Sequence, residues 1–343
     1  MNAELGIPEL RSQAQRLASA GAWTDAGALL LANTERIGAH PETAALLAES
    51  LVRTGRAREA RDWLAGVLPA IEASEDRASL RRATVLNGAA HFVLGELDVA
   101  RRGFNDAMEL ARADGDDALV ARAMSNLGAI ANIEGDHSGA LALYHLAISA
   151  HQRLGNKRGL AECFHNMAIT IRDLGRLQEA DELEQRCVEF ARDAGQPLLV
   201  SIARLGRAEL ALRRGDASFA EATARRAATE FAAAGEPVRE GEAQRLAGVA
   251  GTMNGKYRDA RVLLDFAVER ARQHGAMLHE AEALRSRAEL HAAASDSDSD
   301  SAPDSALDDA RAALVLFGQL RATDDSAALS RWIEALPRDR AGG

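Results

Sequence analysis

Residues 126–144 read NLGAIANIEGDHSGALALY and contain two glycines, Gly128 and Gly135, in a segment that otherwise favours helix. A glycine inside a helix costs about 1 kcal/mol relative to alanine, so each glycine needs a structural reason. We predict that Gly128 allows two helices to pack closely. Gly135 is predicted to end the first helix in a turn, because glycine adopts the left-handed backbone conformation without steric cost. The stretch therefore predicts a helical hairpin.

The same pattern recurs along the chain with a period of 40 residues. One set of glycines is followed five residues later by alanine: Gly55, Gly95, Gly135, Gly175, Gly215 and Gly255. A small residue lies seven positions before each of them: Ala48, Gly88, Gly128, Ala168, Ala208 and Gly248. A second set has the same period out of phase with the first: Gly115, Gly155, Gly195, Gly235 and Gly275. The two sets are predicted to end the first and the second helix of each unit.

The repeats predict one all-α domain over residues 1–336. We expect about eight antiparallel helix hairpins, near residues 8–40, 41–76, 80–116, 120–156, 160–196, 200–236, 240–276 and 280–324. A helix at 325–336 is expected to cap the last exposed apolar face, as the ends of repeat arrays require. The acidic stretch at 295–305 is predicted to be a disordered insert, and residues 337–343 a flexible tail.

Composition and charge exclude several functional classes. The chain has 343 residues, a formal net charge of -10 and acidic residues interspersed with arginines, so no basic face is expected for nucleic acid. No apolar segment approaches the length of about 18 residues that a membrane helix needs. The first residues lack a signal peptide pattern, which predicts a cytoplasmic protein. No histidine spacing, phosphate loop or nucleophile elbow indicates a metal site, a cofactor or an enzyme.

The motifs of the fourth and fifth units resemble those of the tetratricopeptide repeat (TPR) family. The fourth unit has Asn126-Leu127-Gly128, Gly135, Ala140, Tyr144 and Ala147, and the fifth has Asn166-Met167-Ala168, Gly175, Ala180 and Cys187. The resemblance covers about residues 8 to 320. Most units lack the usual closing proline, and the 40-residue period exceeds the usual value of about 34. Such elongated repeats are similar to those of kinesin light chains, Leu-Gly-Asn-repeat adaptors and bacterial peptide-sensing regulators.

The resemblance implies a right-handed superhelical solenoid whose first helices line a concave groove that binds peptides or proteins. It also implies that Asn126 and Asn166 contact the backbone of a ligand. Helical periodicity places further side chains on the groove face: Arg122, Ser125 and Asn132 in the fourth unit, His165, Ile169 and Arg172 in the fifth, and Ile202 and Leu205 in the sixth. Arg245 is a further candidate cation. The alternatives are that the asparagines bond to neighbouring helices and that the arginines form surface ion pairs.

These features lead to two functional hypotheses. The first is a non-enzymatic scaffold that holds a protein or peptide segment in the groove, where cations flanked by apolar residues suit an extended peptide with a carboxylate. The alternative is a peptide-responsive sensor that acts on a separate effector protein. Self-association through the end units, near Trp23, is left open.

Overall fold

A computed structural model describes residues 5–295 and 303–336 of the chain. Eighteen helices and no strand occur in these ranges. Their bounds are Ile7–Ser19 (α1), Trp23–Leu31 (α2), Thr34–Ile37 (α3), Pro41–Arg53 (α4), Ala57–Glu72 (α5), Arg77–Val93 (α6), Leu97–Ala113 (α7), Asp117–Ile133 (α8), His137–Arg153 (α9), Lys157–Asp173 (α10), Leu177–Asp193 (α11), Pro197–Arg213 (α12), Ala217–Ala234 (α13), Pro237–Met253 (α14), Tyr257–His274 (α15), Met277–Ser295 (α16), Pro303–Gln319 (α17) and Thr323–Ala335 (α18).

Consecutive helices pack as antiparallel hairpins, so the predicted all-α solenoid is confirmed. We call α1–α2 unit 1 and the pairs from α4–α5 to α16–α17 units 2 to 8. The short helix α3 follows unit 1, and α18 packs Leu329 and Trp332 against the last units. None of the helices in the described ranges combines the length and apolar character needed to cross a bilayer.

The glycines of both sets end the helices as predicted. Every one of them has a positive φ, for example +86° at Gly135 and +62° at Gly155. Gly135 follows α8 and Gly155 follows α9, so the two sets close the first and the second helix of a unit. At the end of unit 8 the same backbone position is taken by Arg321, with φ of 54°.

The glycines inside the first helices allow a bulky residue of the second helix to pack against the backbone. A Cβ atom added to Gly128 would lie 2.7 Å from Tyr144 Cε1. At Gly88 the added atom would lie 2.8 Å from the Phe104 ring, and at Gly248 it would lie 2.7 Å from Leu264 Cγ. The predicted packing role of Gly128 is therefore confirmed, and the stabilisation lost from helix propensity is offset by burial of an aromatic or leucine side chain.

The superhelix is tight enough for its successive turns to contact each other. The Arg58 guanidinium in unit 2 donates to the carbonyl oxygens of Arg272 (3.2 Å) and Gln273 (3.3 Å) in unit 7. His274 Nδ1 lies 2.8 Å from the Gly55 carbonyl oxygen, to which it can only donate. Both contacts join units that are five apart. One turn of the superhelix therefore takes about five units.

The same relation holds further along the chain. Arg321, at the end of unit 8, donates to both Asp98 oxygens in unit 3 at 3.0 and 2.6 Å. Thr323 in α18 donates to the Glu134 carbonyl oxygen in unit 4 at 3.1 Å. Apolar residues on both sides of this contact belong to one core, which includes Leu97 of unit 3 and Leu320 of unit 8. We call this line of contacts the seam.

The acidic stretch at 295–305, predicted to be an insert, overlaps a helix at each end. Helix α16 extends to Ser295 and helix α17 begins at Pro303, since proline is well suited to the first helical position. Residues 296–302 of the insert and the predicted tail at 337–343 lie outside the described residues.

Replacement of Gly128 by alanine is expected to destabilise the protein. The added methyl group would clash with the Tyr144 ring, and such overpacking costs about 1–3 kcal/mol, which exceeds the gain of about 1 kcal/mol in helix propensity. Gly66→Ala is the matched control, because Gly66 is exposed in α5 and an added Cβ would have no atom within 4 Å. Urea unfolding followed by circular dichroism should show a lower midpoint for Gly128→Ala and an equal or higher midpoint for Gly66→Ala. Equal midpoint shifts in both variants would contradict the packing role.

Candidate functional site

The inward faces of the first helices enclose a central channel rather than an open groove. A cavity of about 360 Å³ within it is lined from five units, by α4, α8, α10, α12 and α14 among others. Val52 and Arg53 of unit 2 and Arg239 of unit 7 line this same cavity. Units distant in sequence share its wall because the superhelix closes after about five units. We call it the amide cavity.

Ser125, Asn126 and Asn166 form the polar side of the amide cavity. Asn166 Nδ2 donates to Ser125 Oγ at 3.1 Å, and the Asn166 amide oxygen has no hydrogen-bond partner among the residues that the structure describes. The half-buried Asn126 amide forms no hydrogen bond with any residue in the described ranges. An unpaired amide offers a donor and an acceptor together. Both asparagines therefore retain hydrogen-bonding capacity toward the cavity.

Apolar side chains also line the amide cavity, beside Arg53, Gln196 and Arg239. Leu198, Leu199 and Ile202 reach it from the first turns of α12, and Val52 reaches it from the end of α4. Of these residues, only Ile202 follows from the periodicity of a single unit. The position of Val52 depends on the closure of the superhelix, for which the sequence provides no local signal.

A buried pair of hydrogen-bonded side chains, His165 and Glu184, supports the wall of the amide cavity. His165 Nδ1 lies 3.0 and 3.2 Å from the two oxygens of Glu184, and both side chains are buried. Burial raises the pKa of Glu184, against the lowering effect of the His165 contact. Glu184 occupies the place held by Tyr144 in the preceding unit and by Leu264 in unit 7. Gly206 gives it room, since a Cβ there would lie 2.1 Å from Glu184 Oε1.

Two of the predicted ligand-binding arginines are engaged within the protein. Arg172 pairs with Asp173 at 2.9 Å and with Glu209. Arg245 is 6% exposed and lies 3.9 Å from Glu209 and 3.5 Å from Glu282. These contacts form a chain of charges along the inward face of units 5 to 8. The structure thus places Arg172 and Arg245 in internal ion pairs, away from the residues that line the amide cavity.

Three other predicted residues also lie outside the amide cavity. The Asn132 amide nitrogen donates to Asp173 at 3.2 Å, and the Asn132 amide oxygen accepts from His137 Nδ1 at 3.0 Å. His137 Nε2 in turn lies 2.9 Å from Asp324, so Asn132 supports the seam. Leu205 is buried in the core with Phe231, and the half-buried Ile169 is not among the residues that line the cavity. These three residues therefore contribute to packing and to support of the seam.

Arginines dominate the part of the channel next to the amide cavity. A second cavity of about 470 Å³ is lined by five arginines and two acidic residues: Arg53, Arg81, Arg82, Arg122, Arg158, Asp116 and Glu162. We call it the arginine pocket. Arg122, Arg158 and Glu162 line both cavities. Helical periodicity predicted Arg122, and it places Arg82 at the same position of unit 3 on the groove face. Arg53 and Arg158 lie at helix ends, where the superhelical geometry decides which way they face.

A third cavity lies between unit 1 and unit 6. Its volume is about 1150 Å³, and its lining includes Ala18–Gly21, Trp23 and Gln196–Leu198. Arg53, which also lines the other two cavities, stacks over the Trp23 ring at 4.5 Å from its centroid. The seam is thus open where units 1 and 6 face each other. We call this opening the side port.

The described ranges contain no group of three or more His, Cys, Asp and Glu side chains arranged to hold a metal ion. The two cysteines, Cys163 and Cys187, are free and buried. Burial raises the pKa of the Cys163 thiol to about 12, which keeps it in the unreactive thiol form at neutral pH. The chemistry available in the channel is therefore hydrogen bonding, ion pairing and apolar contact.

Acid should weaken the ion pairs of the channel, and Glu242 provides a test. Burial of this carboxyl acts to raise its pKa, but Arg239 at 2.8 Å and His279 hold the pKa well below the usual value of 4.5. A carboxyl with a lowered pKa in the folded state contributes stability above its unfolded pKa and loses it as the pH falls toward the folded value.

We expect Glu242→Gln to lower the free energy of unfolding by about 2 kcal/mol at neutral pH, since a charged hydrogen bond is lost. Below pH 4.5 the difference from wild type should shrink. The measurement is urea unfolding over a pH series, with the exposed Glu182→Gln as control. A difference between Glu242→Gln and wild type that is independent of pH would contradict the ion pair.

The comparisons with known proteins agree with this architecture. The tetratricopeptide repeat model matches residues 119–193, which contain units 4 and 5. No curated protein sequence matches the chain significantly. A solved structure of a Rap protein complexed with competence and sporulation factor has a TM-score of 0.64 at 14% identity, over 95% of this chain and 96% of that chain.

Two further solved structures have the same fold. NprR in complex with its cognate peptide NprX gives a TM-score of 0.57 at 12% identity, over 99% of this chain and 100% of that chain. The Cut9–Hcn1 hetero-tetramer of the APC/C gives 0.60 at 14% identity, over 97% of this chain and 56% of that chain. At these identities the likeness shows the fold alone. The repeats, the family model and the shared fold together make this chain a tetratricopeptide-repeat-like solenoid protein.

Proposed function

We propose that the protein binds a short, extended peptide segment in the amide cavity. The observation that carries this proposal is the pair of asparagines whose hydrogen-bonding groups remain unused beside apolar side chains. Asn126 has no partner in the described ranges, and the Asn166 amide oxygen is free. Both side chains are half-buried and line the cavity. Their amides can therefore pair with a ligand that supplies a donor and an acceptor.

An extended peptide backbone matches these groups. Its N–H and C=O groups alternate along the chain, and an asparagine amide can pair with both. Its side chains would reach Leu198, Leu199 and Ile202 in the cavity. Apolar burial there contributes about 25 cal/mol per Å². An acidic side chain of the ligand would meet Arg122 or Arg158 at the edge of the cavity.

The size of the channel favours a peptide over a folded partner. The amide cavity holds about 360 Å³, within the usual range of about 300–1,000 Å³ for small ligands. The side port of about 1150 Å³ opens toward the same channel. The neighbouring structures of Rap with a factor and of NprR with its cognate peptide support peptide binding as a use of this fold.

The seam favours the sensor alternative over a static scaffold. Its polar contacts, such as Arg58 to the Arg272 carbonyl and Arg321 to Asp98, lie between successive turns. A ligand that changes the width of the channel must change these contacts. Exposed ion pairs of this kind contribute little stability individually. The sensor form therefore requires a ligand whose difference in affinity between two arrangements exceeds the cost of disturbing the apolar core that units 3 and 8 share.

The test is a selection from a displayed library of random short peptides, followed by affinity measurement on wild type and variants. We expect selected peptides to bind the Asn126→Ala, Asn166→Ala double variant about thirty-fold more weakly. Each lost hydrogen bond contributes about 1 kcal/mol, and 1.4 kcal/mol corresponds to about ten-fold in Kd. Gln178→Ala, which removes an exposed amide from α11, is the matched control and should bind like wild type.

If the selected peptides bind wild type and the double variant equally, the amide cavity is not the peptide site. Solution scattering with a selected peptide that binds wild type separates the sensor from the scaffold. A change in the radius of gyration supports the sensor, and an unchanged radius supports the scaffold.

A further inference from the structure

The arginine pocket has an excess of positive charge in a chain with a net charge of -10. Five arginines line it, against Asp116 and Glu162. Arg53 and Arg82 share one carboxylate, Glu49, which does not line the pocket. Arg158 pairs with Glu162 at 2.9 Å. Arg81 pairs with Asp114 and lies 3.6 Å from Asp116. Four of the five guanidinium groups thus have a carboxylate partner.

Arg122 is the guanidinium left over. No carboxylate in the described ranges lies within ion-pair distance of it. The side chain is exposed to the channel, but the surrounding walls desolvate the guanidinium and lower its pKa, while Glu162 acts in the opposite direction. An unpaired cation held among other cations is unfavourable, and an anion in the pocket would relieve this.

Three helices also begin at the arginine pocket. Its lining includes Ala78 in the first turn of α6, Ala118 in the first turn of α8 and Gly159 in the first turn of α10. Each of these helices has 17 residues, and the positive ends of their dipoles add to the charge of the arginines. Helix N-termini bind phosphate and carboxylate groups for this reason. Here the side chains of Asp76, Asp116 and Asn156 already accept a backbone hydrogen bond at the three N-termini, so the dipoles add to the field in the pocket and the arginines provide the donors.

A buried histidine also lines the pocket. His151 is 3% exposed, and its Nδ1 atom has no hydrogen-bond partner in the described part of the chain. Its ring lies against Gly159, where an added Cβ would be 2.4 Å from Cε1 and 2.6 Å from Nδ1. The unpaired Nδ1 atom is therefore enclosed by the start of α10, and the imidazole contributes a wall of the pocket.

From these observations we infer that the arginine pocket is a binding site for a small multivalent oxyanion, a phosphate-bearing or polycarboxylate molecule that acts as a second ligand beside the peptide. Planar guanidinium groups match both kinds of oxyanion through paired hydrogen bonds. The volume of about 470 Å³ suits a small molecule rather than a single ion. Arg53 links this site to the side port through its stack on Trp23.

The inference does not depend on peptide binding, because the site is tested without a peptide. Isothermal titration calorimetry with pyrophosphate and with citrate, at low and at moderate chloride concentration, measures binding to the full-length protein. Tryptophan fluorescence provides a second readout through the contact between Arg53 and Trp23. We expect one anion per chain, with affinity that falls as salt rises.

Arg122→Ala is expected to weaken anion binding about ten-fold or more, since a charge-assisted hydrogen bond is lost. The variant breaks no ion pair in the described ranges, so the fold should persist. Arg81→Ala, which removes a pocket arginine that does not line the amide cavity, should weaken binding in the same direction. The control is Arg226→Ala, which removes an exposed arginine of α13 that pairs with Glu230.

Tighter binding of pyrophosphate assigns the site to a phosphate-bearing ligand, and tighter binding of citrate assigns it to a polycarboxylate. The inference is overturned if wild type binds neither anion. It is also overturned if Arg226→Ala weakens binding as much as Arg122→Ala, because the anion would then respond only to overall charge.

Discussion

The contacts between successive turns of the superhelix determine how wide its interior is. His274 binds the carbonyl oxygen of Gly55, and Arg321 binds Asp98, across a distance of five units. A solenoid that closes after about five units has a narrow interior, so first helices that would line an open groove instead face one another. Charged side chains that an open groove would leave in solvent are therefore brought together in a confined space of low dielectric, where unpaired charges are costly.

The two parts of the channel differ in how their charged side chains are paired. In units 5 to 8, arginines and carboxylates alternate and pair, as in the chain from Arg172 through Glu209 to Arg245. In units 3 to 5, arginines outnumber carboxylates, and Arg122 is left without an ion pair in the described ranges. The arginines of the first region have carboxylate partners, while the buried Arg245 Nε atom forms no hydrogen bond in the described ranges, so this region mainly supports the channel. The second region keeps unused cations and amides, and these are the groups on which both proposals rest.

One packing position of the helix hairpin connects the core to the wall of the channel. The small residue of the first helix faces the residue 16 positions later in the second helix, as Gly128 faces Tyr144 and Gly248 faces Leu264. In unit 5 the corresponding residue is Glu184, which holds His165 at the wall of the amide cavity. A position used elsewhere for apolar packing thus supports the wall of the amide cavity here. Gly206 in the next unit leaves the space that this carboxylate needs.

The sequence by itself was enough to predict the hairpins, because they depend on local chemistry. The glycines that end helices and the small residues that admit a bulky partner act within one or two units, and their spacing is visible along the chain. The helical start of α17 was not predicted, since the acidic composition before it outweighed the favourable Pro303. Among the candidate site residues, Ser125, Asn126, His165 and Asn166 lie together in one cavity, as periodicity and the resemblance suggested.

Only the tertiary structure decided how those residues are used. Whether Arg122 is unpaired while Arg172 is paired depends on the carboxylates that neighbouring units bring close, and Glu209 is 37 residues from Arg172. The contributions of Val52, Arg53 and Trp23 depend on the closure of the superhelix, which brings unit 2 near unit 7 and unit 1 near unit 6. Small rotations at each unit interface add up over five units. Their sum is a property of the whole array, which the pattern of a single repeat does not contain.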